Sequence, residues 1–221
     1  MPFYIEVSNK RILIIGGGTE AAKRAVKYAQ AGAQITVLAM NFNADLQRAA
    51  ASGTINTIQD DVSNTRLVEQ LVSNSDLIMV ALDTNEHNET LIAMGQRARR
   101  LLNLTNDAAS TEVAVPVEQE VHGIRFAATS EGKSVHVARE ALQRAACYLE
   151  GQSDLWLLFE LMQELRQMLR ERGVPLQVRM QIYPEVYHDA RVREEAEKQN
   201  VEGAREAMHL TVNRLLARSR Q

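Results

Sequence analysis

The sequence predicts an α/β fold: a doubly wound parallel sheet, a small strand-containing segment after it, and an all-helical C-terminal region. Three observations carry this. Short apolar runs alternate with helix-length stretches through the first half of the chain. The first of those runs closes on three consecutive glycines, Gly16, Gly17 and Gly18. Beyond Gly151 strand patterning stops, and apolar residues recur only at three- and four-residue spacing. Alternation of strands with crossover helices specifies a parallel sheet with right-handed connections.

The elements follow in order. Arg11-Ile-Leu-Ile-Ile15 is a β-branched run suited to a strand buried on both faces. Thr19 to Ala31 reads as a helix closing on Gly32, and Gln34-Ile-Thr-Val-Leu38 as the second strand. Asp45 to Ser52 is helical, Thr54 to Ile58 extended, and Asn64 to Ser73 helical. Asp76 to Ala81 is a fourth strand, about Asn85 to Arg100 a helix, and Leu101-Leu-Asn-Leu104 a fifth strand. The pattern then changes. Val113 to Glu118 and Gly123 to Ala128 read as two further strands joined through Gln119–His122, before a helix from Ser134 to about Glu150.

In the tail, Leu155, Leu158, Phe159, Met162, Leu165 and Leu169 form one apolar stripe, broken by Gly173-Val-Pro175. A last helix is expected from about Asp189 to Arg218, with Val201, Ala204, Met208, Thr211 and Leu215 on one side. Such stripes are covered either by neighbouring helices of the same chain or by a dimer partner, and both readings stand. The organisation is therefore residues 1–112, 113–150 and 151–221.

Composition narrows the partners. A formal net charge of −3, from 25 basic and 28 acidic residues, gives no attraction for nucleic acid or an anionic membrane. No stretch approaches the roughly 18 apolar residues of a membrane span, and the opening Met1 to Val7 has no signal-peptide pattern, so a cytoplasmic protein is expected. The one cysteine, Cys147, has no disulfide partner and is expected to be a small buried hydrophobe. His87, His122, His136, His188 and His209 lack metal-site spacing, so no metal is expected.

Gly16-Gly-Gly-Thr-Glu-Ala21 fits G-x-G-x-x-A between a strand and a helix, the fingerprint of a Rossmann-type dinucleotide site. Gly16 permits the turn, Gly18 admits the pyrophosphate, and Ala21 lets helix and strand pack closely. The helix N-terminus then offers free N–H groups to the phosphates. The second strand ends in Leu38-Ala-Met-Asn41 without the usual acidic residue, leaving Asn41 for the ribose hydroxyls. No basic residue lies between the end of that strand and Arg48, which favours NAD over NADP. A second loop, Gly132-Lys-Ser134, mimics the end of a phosphate-binding loop, but Ala127 stands where that motif needs glycine, so ATP hydrolysis is rejected. The loop still presents Ser130, Lys133 and Ser134 at a helix N-terminus, with His136 in the first turn, as candidate substrate-binding residues.

These residues together resemble the precorrin-2 dehydrogenases, including the N-terminal module of siroheme synthase. The likeness runs from Phe3-Tyr-Ile-Glu-Val through Arg11 to Ala22, Ala31 to Val37, Asp76 to Asp83 with Asn88, Leu102 to Asp107, and Val115-Pro116. It ends in Ala128 to Ser134 with Ala138-Arg139. The resemblance implies NAD⁺-dependent oxidation of a reduced tetrapyrrole, precorrin-2, to sirohydrochlorin, by a homodimer that the helical tail completes. The interface is expected to include residues beyond Gly151, and 113–150 is expected to be a dimerisation and substrate segment. It places Thr19, Glu20, Met40, Asn41 and Asp83 about the cofactor. Bifunctional family members that also insert iron carry an aspartate base after the fifth strand; that place holds Asn106, with Asp107 next to it. Both are the candidate catalytic residues, and dehydrogenation without metal insertion is expected. The competing reading from another class is a non-catalytic NAD-sensing module.

Overall fold

The computed structural model describes residues 4–218, so Phe3, which opens the resemblance, lies outside the described residues. By its packing the chain divides into two compact units. One runs to Val117 and takes in Ala128–Ala138; the other comprises Glu118–Ala127 and the chain from Arg139 onward.

The first unit is a three-layer sandwich. Strands β1 (Arg11–Ile15), β2 (Gln34–Ala39), β3 (Asn56–Gln59), β4 (Leu77–Val80) and β5 (Leu101–Leu104) form one parallel sheet in the order β3-β2-β1-β4-β5. Helices α1 (Thr19–Gln30), α2 (Ala44–Ala51), α3 (Thr65–Ser73) and α4 (Asn88–Ala98) make the crossovers. Successive strand residues point to opposite faces, and both faces are apolar. Ile12, Ile14, Ile35, Val37, Leu77 and Met79 meet Ala21, Ala22, Ala25 and Leu46 of α1 and α2. Leu13, Ile15, Leu38, Ile78, Val80, Leu102 and Leu104 meet Val68, Val72, Leu91 and Met94 of α3 and α4. Each fully buried aliphatic side chain contributes about 1.5–3 kcal/mol, so the central strands anchor this unit. The small face of α1, three buried alanines, sets the glycine loop close to the sheet.

The open edge of β5 is covered irregularly. Glu112 and Val113 both donate backbone N–H to Leu102 O, while the Thr111 hydroxyl and the Glu112 carboxylate take the amides of Leu104 and Leu102. This departs from the strand expected at Val113–Glu118. Strand β6 instead spans Val117–Val121, because side chains replace backbone partners up to Val113 and Pro116 lacks an N–H to donate. It pairs with β7 (Ile124–Ala128) through a two-residue turn, His122 (φ 48°) and Gly123 (φ 81°), the left-handed pair of a tight hairpin. The turn is thus shorter than the Gln119–His122 connection expected.

Helix α5 (Val135–Glu150) begins in the first unit and continues into the second. It buries only Ala138, Leu142 and Ala146, spaced by four, so Cys147 is exposed. That corrects the expected burial: Ala146, one residue earlier, holds the inward position. In the second unit Val121 of the hairpin packs with Ala146 and Trp156. The remaining helices are α6 (Ser153–Glu171), α7 (Leu176–Tyr187), α8 (Ala190–Glu197) and α9 (Val201–Arg218). The single helix expected from Asp189 to Arg218 is therefore two, divided where Gln199 adopts φ 56°. Leu158, Leu165 and Leu169 of the expected stripe are buried against Ile182, Val186, Val192, Ala204 and Met208, so the chain's own helices cover it. Among the described residues no helix is long and apolar enough to cross a membrane, and no cluster of three or more His, Cys, Asp or Glu is arranged to hold a metal.

Candidate functional site

The strand order puts β1 between β2 and β4, so successive connections leave β1 in opposite directions and open a crevice at its C-terminal end. The three glycines fill that point for three different reasons. Gly16 has φ 130°, and a Cβ there would stand 2.2 Å from the Ala81 carbonyl oxygen. A Cβ on Gly17 would stand 1.7 Å from the Asn41 carbonyl oxygen. At Gly18 it would meet nothing within 4 Å, so this face of the loop is open. Backbone bonds fix the arrangement, Gly16 N–H to Leu38 O at 2.9 Å and Asn43 N–H to Gly17 O at 3.0 Å.

Helix α1 begins immediately after Gly18, and no side chain caps it. Helices α2 and α3, by contrast, are capped by the side chains of Asn43 and Asn64. The positive end of α1 is thereby left to the crevice. Thr19 and Glu20 are exposed on its first turn. The Glu20 carboxylate accepts from Arg24 Nε at 2.9 Å, which offsets its charge at the loop. Met40 and Asn41 are exposed after β2, and Arg48 forms an ion pair with Asp45. Asp83 is exposed in the loop after β4.

At the end of β5, the Asn106 carboxamide donates to the carbonyls of Leu82 (3.1 Å) and Thr84 (3.0 Å) and accepts from buried Asn88 at 3.2 Å. Asp107 accepts the amides of Ala109 and Ser110, each at 3.1 Å. The Ser110 hydroxyl and amide, with the Ala109 amide, outweigh slight desolvation and hold the carboxyl below its ordinary range.

The second loop rests beside this turn. Glu131 (φ 53°) and Gly132 (φ 83°) are both left-handed, and a Cβ on Gly132 would lie 2.5 Å from Ala108 Cβ. The Ser130 hydroxyl accepts the Ser134 amide at 2.8 Å, and the Ser134 hydroxyl accepts the Val137 amide at 3.3 Å, which caps α5. Ser130 and Ser134 are half-buried; Lys133 and His136 are exposed. Two groups of sequence-predicted residues thus form at one edge of the sheet. Gly16, Gly18, Thr19, Glu20, Met40 and Asn41 surround the glycine loop. Asn106 and Asp107 share the other group with the loop of Ser130, Lys133, Ser134 and His136.

A family model described as "Putative NAD(P)-binding" matches residues 3–117, just over half of the chain. The chain belongs to this NAD(P)-binding family. It is also 27% identical over 139 residues to siroheme synthase 3 of Aeromonas hydrophila subsp. hydrophila, a match covering 63% of this chain and 29% of that protein. It is 26% identical over 183 residues to the siroheme synthase of Xylella fastidiosa, covering 82% of this chain and 37% of that one. The chain spans about three tenths of the length of the first curated relatives it matches. A solved structure titled "SirC, precorrin-2 dehydrogenase" has the same fold, with a TM-score of 0.66 at 18% identity over 96% of this chain and 99% of that one.

Three residues of this NAD(P)-binding unit have structural roles that the sequence did not assign to them. Gly17 is the variable position of the fingerprint, yet here the backbone of Asn41 crosses it. Asn103 is buried in β5, accepts from Arg24 and donates to Val113 O at 2.6 Å. Its signal was a lone amide in an otherwise apolar strand. Asn88, the first residue of α4, entered only through the resemblance, and its burial shows as the Asn85–Asn88–Asn106 hydrogen-bond series.

Proposed function

We propose that this protein is a nicotinamide-nucleotide-dependent dehydrogenase of tetrapyrrole biosynthesis, oxidising precorrin-2 to sirohydrochlorin with NAD⁺, as a homodimer in the cytoplasm. The observation that carries the reading is the open face of Gly18 above an uncapped helix, on the same sheet edge as the turn bearing Ser130, Lys133 and Ser134. The names of the relatives supply the substrate class.

The residues present fit a dinucleotide. Gly16 lets the turn close against the Ala81 carbonyl, Gly18 leaves its face open to the pyrophosphate, and the N-terminus of α1 favours that anion. Asn41 offers a neutral side chain to the ribose hydroxyls. Arg48, the first basic residue after β2, is engaged by Asp45, so a 2′-phosphate lacks a cationic partner there; this favours NAD over NADP. A bound nicotinamide would supply the hydride acceptor, and the proton released with the hydride would pass to water. The protein's task is then to orient the ring system and exclude misalignment, since gaining conjugation drives the oxidation. Lys133 with the hydroxyls of Ser130 and Ser134 provides a cationic, hydrogen-bonding ledge for an anionic substrate. Asp107 remains ionised through the neutral range, and its depressed pKa makes it a weak proton acceptor.

The test is incubation of the full chain with precorrin-2 and NAD⁺ or NADP⁺, following sirohydrochlorin absorbance, with sedimentation for the dimer. Turnover with NAD⁺, and at least about tenfold less with NADP⁺, is expected. Asp107→Asn keeps an acceptor for both amides and should retain kcat within about tenfold, well short of the loss a strong general base would show. Binding of NAD⁺ without turnover would instead identify a sensing module.

A further inference from the structure

We propose that Asn106 is a positioning residue of the dinucleotide site, its carboxamide clamping the loop between β4 and α4 beside the glycine loop, and is not a stand-in for a proton acceptor. The proposal rests on the reading of the glycine loop as a nicotinamide dinucleotide site. The orientation of the carboxamide follows by elimination. Its Nδ2 lies 3.1 Å from Leu82 O and 3.0 Å from Thr84 O, and carbonyl oxygens accept only. The nitrogen must therefore face them, which turns Oδ1 to receive the Asn88 Nδ2 at 3.2 Å. Both ends of the amide are used, one on the loop and one on the first residue of the helix that follows it.

The clamped loop is a wall of the crevice. It starts at Ala81, whose N–H donates to Ile15 O at 2.8 Å and whose carbonyl leaves no room for a side chain on Gly16. Leu82 and Thr84, the two residues held by Asn106, flank exposed Asp83. Loss of the clamp therefore frees the segment nearest the turn that the pyrophosphate approaches.

An ionised aspartate at this position would fail in a specific way. A carboxylate donates nothing, so both carbonyls lose their partner and face a negative charge. Protonated, the same side chain regains one O–H donor. Asn106→Asp should thus behave more like the parent as pH falls, the reverse of a general base, which gains as pH rises. The titratable groups of the two segments are Asp83, Glu86 and His87 on the loop and Asp107 beside it. All remain in the parent, which serves as the control at each pH.

The experiment compares the full-length parent, Asn106→Asp and Asn106→Ala. Hydrogen exchange of residues 82–91 is read without ligand, and NAD⁺ affinity by calorimetry. At about pH 8 both variants should exchange faster across 82–91 and bind NAD⁺ about tenfold more weakly, the scale of one lost hydrogen bond to a buried partner. At about pH 5 the Asp variant, its carboxyl pushed up by the facing carbonyls, should recover toward the parent while the Ala variant does not. Exchange in Asn106→Asp equal to the parent at the higher pH, or sirohydrochlorin formation by it that exceeds the parent and rises with pH, would overturn the proposal. If the parent takes up no NAD⁺, the functional reading fails, and exchange alone still decides whether the clamp exists.

Discussion

Gly17 and Gly18 are adjacent in sequence and lack side chains for opposite reasons. At Gly17 the space is taken by the Asn41 backbone; at Gly18 it is empty. Gly17→Ala should therefore cost about 2 kcal/mol or more of stability, because a backbone carbonyl must move, and the thermal midpoint should fall. Gly18→Val should leave the thermal midpoint near that of the parent and abolish NAD⁺ binding in calorimetry. A Gly18 variant that binds normally would remove the pyrophosphate from this loop. The fingerprint made Gly16 and Gly18 legible, since strand, turn and helix follow one another locally. The need at Gly17 was not, because the group that excludes a side chain comes from the next loop, after β2. Cys147 was misread for a related reason: a helix buried along a stripe of every fourth residue exposes the position next to the stripe.

At the scale of elements, the sheet was the most legible part. Strands buried on both faces must be apolar throughout, and β1, β4 and β5 announce themselves by that alone. The helical unit was less so. Pro184 lies inside α7, where a proline reads as a breaker, and the division of α8 from α9 falls at Gln199, a left-handed residue that is not glycine. The device that holds this corner is Asp189. Its carboxylate caps α8 through the amides of Arg191 and Val192, accepts the buried Thr211 hydroxyl at 2.7 Å, and pairs with Arg214 at 3.4 Å. Burial raises the pKa of this group, but the Thr211 hydroxyl, the two amides and Arg214 together bring it below the ordinary value. A folded-state pKa below the unfolded one means stability that is present above the unfolded pKa and lost as pH falls through the folded one. Asp189→Ala should cost about 2 kcal/mol at neutral pH, a capping loss plus an unpaired buried hydroxyl. Denaturant titrations should show that difference shrinking below the usual carboxylate range. A difference that persists unchanged in acid would mean that lost packing, not charge, sets the effect.

At the scale of the whole molecule, the two units have separate cores and different chemistry. The glycine loop, Asn106, Asp107 and the Ser130–Ser134 turn all belong to the first unit, although they are drawn from segments far apart in the chain. That assembly is why the individual residues could be named from sequence while their grouping could not. The second unit contains the protein's one tryptophan, Trp156, buried at 5% exposure, with its indole N–H on Leu149 O at 2.7 Å and its ring stacked on His122 at 4.5 Å between centroids. The molecule therefore carries a built-in optical label on the unit that lacks the nucleotide loop. Its emission should be blue-shifted while hairpin and helices are docked and should move to the red when Val121 and Ala146 leave the indole. Ligand binding stabilises only the state that binds, by about 2.7 kcal/mol at a hundredfold excess over Kd. Added NAD⁺ should then raise the denaturant midpoint seen by circular dichroism, which senses both units, and leave the fluorescence midpoint unmoved. Emission and dichroism that shift together would reveal that the two units melt as one.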